Sequence, residues 1–438
     1  MNLLKRLTIR GAKVPGHKER TRDKSIQKLT PPKLLYFPLE MHIGTPAELK
    51  VEVGDTVKRG TLLAEMGGPV SANIHSSVSG QVIAIEEEYP SFRGVTKTIV
   101  VENDEKYEEE LFDELTEELT PKIINERIKE AGITGKGGAG FPTHIKYDTD
   151  DEGLNFLIVN GAESEPYSTT DNRVTIEYAP EIIRMVDTLH KVYNLKSSII
   201  AIEGDQKESI EVIERVKKDL NADYIKVVNL PTIYPQGDSS LQVKTLLDIE
   251  ISEDQNASDV GVLQSNVSTI KAMYDAIFEN QPFTHRVVTV TGPMINNANN
   301  FMTPLGSTVE YIIEQSGGLA NDDVKMVDGG AMMGTPFDDV RLPVAKDTTT
   351  LLFLPSDKEI ERDNCIRCAR CVENCPVALH PILISNAWEK NRLDLAKNLR
   401  AEVCIQCGLC TYLCPAKIPL LANIKEAIEA IEEEKENE

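Results

Sequence analysis

The spacing of hydrophobic residues divides the chain into segments with different predicted architectures. Between residues 34 and 101, short apolar runs alternate with turn residues such as Gly54 and Asp55, which predicts a small module of short strands. A β pattern returns at 284–335, where a helical period near 308–316 ends at two glycines. Both segments are therefore expected to consist mainly of short strands.

The intervening segment, residues 121–280, has the pattern of a parallel α/β unit. Continuous apolar runs predict buried strands at 156–159, 198–202 and 224–228. Helical periods lie between them at 178–193 and 206–220. Strands that alternate with helices of this length predict a parallel sheet covered by helices.

Composition and charge exclude several classes of function. The 438 residues are enough for three or four domains, and a formal net charge of −23 argues against nucleic acid as a partner. No run approaches the roughly 18 apolar residues of a membrane span, and no secretory signal opens the chain. Any membrane would then be reached through a partner.

Residues 1–28 invert the overall charge, with nine basic residues against Glu19 and Asp23. One interpretation is an arm that docks on an acidic partner or an anionic lipid. The other, which we favour, is an extended arm that lies on the protein's own acidic surface.

All eight cysteines lie between residues 363 and 415, in two copies of one run. The copies are Cys365, Cys368, Cys371 and Cys375, and Cys404, Cys407, Cys410 and Cys414. Each has the spacing C-x2-C-x2-C-x3-C-P, in which the fourth cysteine ligates the [4Fe–4S] cluster of the other run. We therefore expect Cys414 on the cluster of the first run and Cys375 on that of the second. Zinc sites usually use separated pairs of ligands and disulfides suit secreted chains, so clusters in a reducing cytoplasm are favoured.

A glycine-rich loop at residues 132–143 is the second chemical signal. Without Cβ atoms, its backbone N–H groups can converge on a phosphate, and Lys136 could add positive charge. The loop is neither a Walker loop nor a dinucleotide fingerprint. Polar motifs follow at 160–167, 234–238 and 265–269, the first directly after a buried strand, where α/β sheets bind ligands. Taken singly, Asn160 and Asn266 could equally be helix caps.

Together these motifs resemble a known family. The runs 137–143, 160–166 and 266–267 resemble the FMN-carrying, NADH-oxidising subunit of respiratory complex I. From about residue 30 to 425, the whole chain resembles the RnfC family, a component of the Rnf ion-translocating ferredoxin:NAD oxidoreductase complex.

The resemblance implies roles for individual residues. Gly137, Gly138 and Gly140 would wrap the FMN phosphate or ribityl chain, and Asn160, Glu163 and Asn266 would bond the flavin. Lys146 would approach the cofactor. Phe141 and Glu165 would contact the nicotinamide nucleotide.

The chain departs from the complex I subunit at two places near these residues. Ala162 stands where that subunit has an aspartate, and Asp238 and Ser239 stand where it has paired glutamates. The stretch 11–15 also departs from the start of many RnfC chains. These departures put the nucleotide subsite in question and keep soluble relatives open.

The resemblance implies a multidomain α/β plus α+β fold with four units. We expect a barrel-sandwich hybrid of the biotinyl/lipoyl kind at 30–105, an FMN- and NAD-binding α/β domain at 120–282, an SLBB-like β-grasp domain at 283–350, and a ferredoxin-like helical domain with two [4Fe–4S] clusters at 355–425. The turn at 67–71 has no lysine, so the first unit is expected to be structural and not a swinging-arm carrier.

The implied function is that of an NADH-linked oxidoreductase within a translocase complex. It would exchange a hydride between NAD(H) and FMN and pass single electrons through two clusters. Its partners would be a ferredoxin-like iron–sulfur subunit and integral membrane subunits, and it would lie on the cytoplasmic face of the cell membrane. A soluble NADH-dependent donor to a reductase and a cluster-carrying scaffold without flavin activity are the alternatives.

Overall fold

The computed structural model describes residues 10–135, 140–148, 153–163, 165–252, 255–357 and 361–436. Within them the multidomain α/β plus α+β class is confirmed, in four sheets and a C-terminal group of helices. Lys136, Gly137 and Gly138, for which cofactor contacts were expected, lie outside the described residues.

The N-terminal module is a pair of small sheets packed around one apolar core. After β1 (Ile26–Lys28), which joins a later sheet, its strands are β2 (Leu34–Pro38), β3 (Glu48–Leu49), β4 (Thr56–Val57), β5 (Leu62–Glu65), β6 (Ile74–His75), β7 (Gly80–Ser91) and β8 (Gly94–Asn103). One sheet has the order β2-β8-β7-β4 and the other β3-β5-β6. Leu35, Leu63 and Val82 are fully buried between them, as the alternating pattern predicts.

The second unit is a four-stranded parallel sheet with helices on both faces. Its elements are α1 (Pro121–Glu130), α2 (Thr143–Tyr147), β9 (Phe156–Gly161), α3 (Thr170–Glu177), α4 (Ala179–Val192), β10 (Ser197–Glu203), α5 (Lys207–Asp219), β11 (Lys226–Leu230), α6 (Ser239–Leu247), a 3-10 turn (Ser258–Val260), β12 (Val262–Asn266) and α7 (Val267–Phe278). The strand order is β11-β10-β9-β12. The helices predicted at 178–193 and 206–220 are α4 and α5.

A six-stranded mixed sheet forms the third unit. It contains β13 (His285–Thr291), β14 (Asn299–Pro304), β15 (Val324–Asp328), β16 (Thr335–Phe337) and β17 (Thr350–Pro355), with α8 (Val309–Gln315) between β14 and β15. β1 completes the sheet by pairing in parallel with β14. The N-terminal segment therefore contributes a strand that its charge pattern did not reveal.

The basic N-terminal segment lies on the protein itself over residues 10–28. Lys18 donates to the carbonyl of Glu163, Arg20 to those of Gly292 and Asn296, and Lys24 to that of Ala298. These contacts agree with the interpretation that we favoured, in which the arm covers its own protein.

The C-terminal unit is helical and carries the cysteines. Its elements are α9 (Arg370–Glu373), α10 (Pro381–Glu389), α11 (Leu393–Asn398), a 3-10 turn (Ala401–Val403), α12 (Leu409–Tyr412) and α13 (Leu420–Glu436). Ile384 on α10 packs against Ile424 and Ile431 of α13 in its core. None of the described helices has the length and apolar character needed to cross a bilayer.

Lys346 joins three of these units without an acidic partner among the described residues. Its fully buried ammonium donates to the carbonyl of Gly132 at 2.6 Å, in the α/β unit, and to that of Asn73, in the N-terminal module. Burial lowers the pKa of Lys346 to about 7. A neutral amine retains two N–H donors, which suffice for both carbonyls.

This geometry predicts a pH-dependent cost of Lys346→Met. Because the folded-state pKa of about 7 lies below the ordinary lysine value, the unfolded chain binds more protons above pH 7, so the wild type gains stability from there to about pH 10. Lys346→Met removes that gain and leaves two carbonyls without a donor, a loss of roughly 1–3 kcal/mol each. The difference in Tm between wild type and variant should widen as pH rises through this window. Lys390→Met, at an exposed lysine, is the control, and a constant difference would contradict the assignment.

Candidate functional site

The site is created by the order of strands in the parallel sheet. The chain runs outward from β9 to β10 and β11 and then crosses back to place β12 on the other side of β9. Such a reversal leaves a crevice at the carboxyl ends of the two central strands, because the connecting segments depart in opposite directions. Asn160 and Asn266 end these strands and face each other in register.

A cavity of about 460 Å³ occupies this crevice. The side chains predicted to bind cofactors that line it are Lys146, Asn160, Glu163, Glu165 and Asn266. Gly140 and Phe141 lie at the end of the glycine-rich loop and are not part of the lining. The remaining wall comes from the other units, namely from residues 328–335, from Asp347 and Thr349, and from Ile405 and Cys407.

The two asparagines are held by hydrogen bonds within the protein. Asn160 donates to the carbonyl of Gly237 at 2.9 Å and accepts from the N–H of Ala162 and from Gln242. Asn266 caps α7 by accepting from the N–H of Ser268 at 2.8 Å, and it donates to Asp171 at 2.9 Å. The helix-cap interpretation therefore holds for Asn266, while both residues still line the cavity.

The two glutamates have different environments. Glu163 caps α3, because its carboxylate accepts from the N–H groups of Asp171 and Asn172 and from the Ser168 hydroxyl. Glu165 accepts from the N–H of Met332 at 3.0 Å and from the Tyr234 hydroxyl at 3.3 Å. Burial raises the pKa of Glu165, so this carboxyl is a proton-exchanging group at the cavity wall.

Lys146 supplies positive charge to the described wall of the cavity. Its ammonium lies 5.6 Å from the centroid of the Phe141 ring and forms no ion pair with a described residue. The surrounding protein lowers the pKa of Lys146 by desolvation, although the side chain is accessible from the open cavity. A cation in this position can bind an anionic group of a ligand without displacing an internal partner.

The acidic part of the wall was not predicted from the sequence. Asp171, Asp328 and Asp347 all line the cavity. Burial, and then the charge of Asp347, raise the pKa of Asp328 to about 7. Asp347 pairs with Arg93, which stands in the turn between β7 and β8. The N-terminal module therefore supports the cavity wall, and the only sequence signal for Asp328 was its place between a strand and two glycines.

The lining fits a polar heteroaromatic cofactor such as FMN. Two buried oxygens of the wall, Thr143 Oγ1 and Asp328 Oδ1, have no hydrogen-bond partner in the described structure. Each would cost roughly 1–3 kcal/mol if left unsatisfied. The volume also falls within the range of small-molecule sites.

The structure brings the cysteines of the two runs together in crossed groups. Cys375, from the first run, lines one small cavity with Cys404, Cys407 and Cys410 of the second. Cys414, from the second run, packs with Cys371 in a separate apolar cluster. Cys365 and Cys368 are exposed.

The cysteine environment fits metal clusters better than free thiols. Burial raises the pKa of Cys407 to about 11 and that of Cys410 to about 12, so neither ionises near neutrality unless a cation compensates. In the described residues, no three His, Cys, Asp or Glu side chains converge as the ligands of a metal ion do. The four cysteines instead surround a cavity, as the ligands of a larger cluster would.

Cys407 belongs to both sites. It lines the flavin-sized cavity and also the small cavity with Cys375. The Tyr234 hydroxyl donates to the carbonyl of Cys407 at 2.7 Å and fixes this loop against the α/β unit. Tyr234 was part of a noted motif, but no sequence pattern indicated this contact.

Four family models match successive parts of the chain. They are the RnfC barrel sandwich hybrid domain at 8–106, the Nuo51 FMN-binding domain at 128–275, the SLBB domain at 287–336 and the 4Fe-4S dicluster domain at 364–418. The kinds of unit expected from the resemblance are thereby confirmed.

Relatives match over most of the chain. The C-type subunit of the proton-translocating ferredoxin:NAD(+) oxidoreductase complex of Clostridium ljungdahlii is 34% identical over 87% of this chain and 84% of its own length. The C-type subunit of the Na(+)-translocating ferredoxin:NAD(+) oxidoreductase complex of Acetobacterium woodii is 32% identical over 95% of both chains. The crystal structure of an air-oxidized NAD+-reducing [NiFe]-hydrogenase is similar in fold, with a TM-score of 0.51 and 14% identity over 71% of this chain and 61% of that one.

The crossed grouping predicts the effect of single cysteine variants. After anaerobic reconstitution, the wild type should hold about eight irons, as two [4Fe–4S] clusters require. Cys414→Ala should damage the cluster of Cys365 and leave that of Cys404 intact, whereas Cys375→Ala should do the reverse. Iron analysis and low-temperature EPR of the two variants test this. If Cys414→Ala altered only the spectrum lost on Cys404→Ala, ligation would not be crossed.

Proposed function

The chain belongs to the RnfC family of ferredoxin:NAD(+) oxidoreductase subunits, and we propose on this basis that it exchanges reducing equivalents with NAD(H) through FMN and two [4Fe–4S] clusters. The observation that carries the proposal is the position of Cys407 at both the flavin-sized cavity and the cysteine cavity. FMN would supply hydride chemistry with a nicotinamide, and the clusters would accept single electrons.

The chain's own residues would hold these groups in a protected site. Lys146 and the glycine-rich loop, including Gly140, would bind the flavin, with Asn160 and Asn266 shaping the crevice. Glu165 would face the nicotinamide nucleotide, as would Phe141 beside Lys146. Tyr234 keeps the Cys407 loop closed against the cavity, which excludes water between the two sites.

The eight cysteines would be the cluster ligands in two crossed sets. Cys404, Cys407, Cys410 and Cys375 would serve the cluster next to the flavin cavity. Cys365, Cys368, Cys371 and Cys414 would serve the second cluster. Because all residues from 361 to 370 are exposed, this second set faces a partner.

We propose that the partner at this surface is an acidic, ferredoxin-like iron–sulfur subunit. Ile366 exposes 66% of its surface beside Cys365 and Cys368. Arg367 and Arg370 flank these cysteines and form no ion pair with a described residue, although the whole chain carries a charge of −23. Further partners would be integral membrane subunits, which would hold this chain on the cytoplasmic face of the membrane.

An anaerobic absorption spectrum tests the redox role. Adding NADH to reconstituted protein should bleach the flavin band and then reduce the clusters, because a flavin accepts a hydride and releases electrons singly. Gly138→Val, in the glycine-rich loop, should yield protein with clusters, little flavin and no reaction with NADH. Clusters that NADH reduced normally in this flavin-free variant would contradict the proposal. An unreactive flavin in the wild type would favour the scaffold alternative.

Co-purification from the native host tests the partners. The wild type should sediment with membranes and integral subunits, whereas a soluble donor would not. Arg367→Glu with Arg370→Glu should weaken electron delivery to the iron–sulfur partner about tenfold or more at low salt, with NADH bleaching of the flavin unchanged. Lys390→Glu, at another exposed cation, is the matched control. Equal delivery by the double variant and the control would place the docking surface elsewhere.

A further inference from the structure

Arg286 is a buried cation without a hydrogen-bond partner in the described structure. It is the second residue of β13 and is 5% exposed. Its Nε and Nη1 atoms are buried with no acceptor, and its side chain donates to no described residue. A buried guanidinium normally satisfies its donors with carboxylates or carbonyls, because burial without them is costly. Its state therefore points to a group that completes it.

Arg286 remains charged near neutral pH. Burial lowers the pKa of Arg286 to about 10, and Asp347, Asp171 and Asp328 act against this shift. None of these carboxylates approaches within ion-pair distance of the guanidinium in the described structure. Asp171 is instead engaged by Asn266 and by the Ser268 hydroxyl. The donors of Arg286 are thus available to a ligand.

A second cavity, of about 540 Å³, lies against this guanidinium. It is lined by Arg286, by Ser268 and Thr269 in the first turn of α7, and by Thr134. The Thr134 hydroxyl is likewise buried without a hydrogen-bond partner in the described part of the chain. Thr269 also lines the flavin-sized cavity, so this corner adjoins the proposed cofactor site.

The corner combines the features that recognise phosphate. The first turn of α7, a helix of 12 residues, carries the positive end of the helix dipole. A guanidinium adds charge and forked donors, and a threonine hydroxyl adds a neutral donor. Two acids of the remaining lining are already paired, Asp275 with Lys271 and Glu109 with Arg59. Glu181, whose Oε2 is also buried without a described partner, opposes an anion elsewhere in the cavity.

We propose that Arg286, Thr134 and the first turn of α7 form a subsite for a phosphate monoester. Two sources have this chemistry, namely the phosphate of the flavin itself and that of a separate ligand in the second cavity. The first source rests on the proposed function, whereas the second does not.

The first arm of the experiment compares FMN with riboflavin. Flavin is removed from the full-length, cluster-loaded protein, and the affinity for each flavin is measured by fluorescence quenching. Arg286→Met should lower the preference for FMN over riboflavin by about tenfold or more, the range expected for a lost charge-assisted hydrogen bond. Riboflavin affinity should stay within about threefold of wild type, because riboflavin has no phosphate.

Threonine variants keep the test decisive if Arg286→Met folds poorly. Thr134→Val removes a hydroxyl that has no described protein partner and should lower the FMN preference in the same direction, by about threefold. Thr350→Val is the matched control, because Thr350 Oγ1 is also buried and unpaired in the described structure but lines neither cavity. It should leave the preference unchanged.

The second arm uses inorganic phosphate with calorimetry, on protein with and without bound FMN. If phosphate competes with FMN, the subsite takes the flavin phosphate. If it binds the FMN-loaded wild type and fails to bind Arg286→Met, the subsite serves a separate ligand. Wild-type protein that binds neither flavin would contradict the proposed function, and the phosphate arm would still judge the subsite. Unchanged FMN preference together with unchanged phosphate binding in both variants would overturn the proposal.

Discussion

The parallel pairing of β9 with β12 is the contact on which the site depends. It brings the carboxyl ends of two strands together at the point where the strand order reverses, and so places Asn160 beside Asn266. The N-terminus of α7 begins at the same point. A crevice with a helix N-terminus on one side and polar strand ends on the other is suited to a phosphorylated, polar cofactor. A different position for β12 would separate these features.

The cavity is completed by units that are distant in sequence. Residues 328–335 and Asp347 form one wall, and the Cys407 loop forms another. Hydrogen bonds at the junctions fix these walls: Lys346 reaches two neighbouring units, Arg93 holds Asp347, and Tyr234 holds Cys407. Buried polar contacts of this kind are costly when broken, so they specify one arrangement of the units. The N-terminal module thereby supports the chemistry, although none of its described residues lines the flavin-sized cavity.

Charge is distributed so that function and stability are linked. The cavity wall is rich in carboxyl groups, several with raised pKa, while Lys146 and Arg286 stand nearby without partners among the described residues. The cysteine thiols are likewise held where thiolate formation is unfavourable. Bound groups that carry the opposite charge would relieve both sets. The polypeptide therefore contains unsatisfied electrostatics that its ligands are suited to complete.

Much of the local chemistry follows from neighbouring residues in the chain. Repeated cysteine spacing identified the cluster runs, and the hydrophobic periods located α4, α5, α8 and most strands, because both signals reside in short stretches. The polar strand ends marked Asn160 and Asn266 as parts of a site. The folded arrangement was needed for the strand order, for the entry of β1 into the third sheet, and for the approach of Arg93, Asp347 and Cys407 to one cavity. It also exposed the lack of described partners around Arg286. These features depend on residues more than a hundred positions apart, for which charge, spacing and periodicity carry no information.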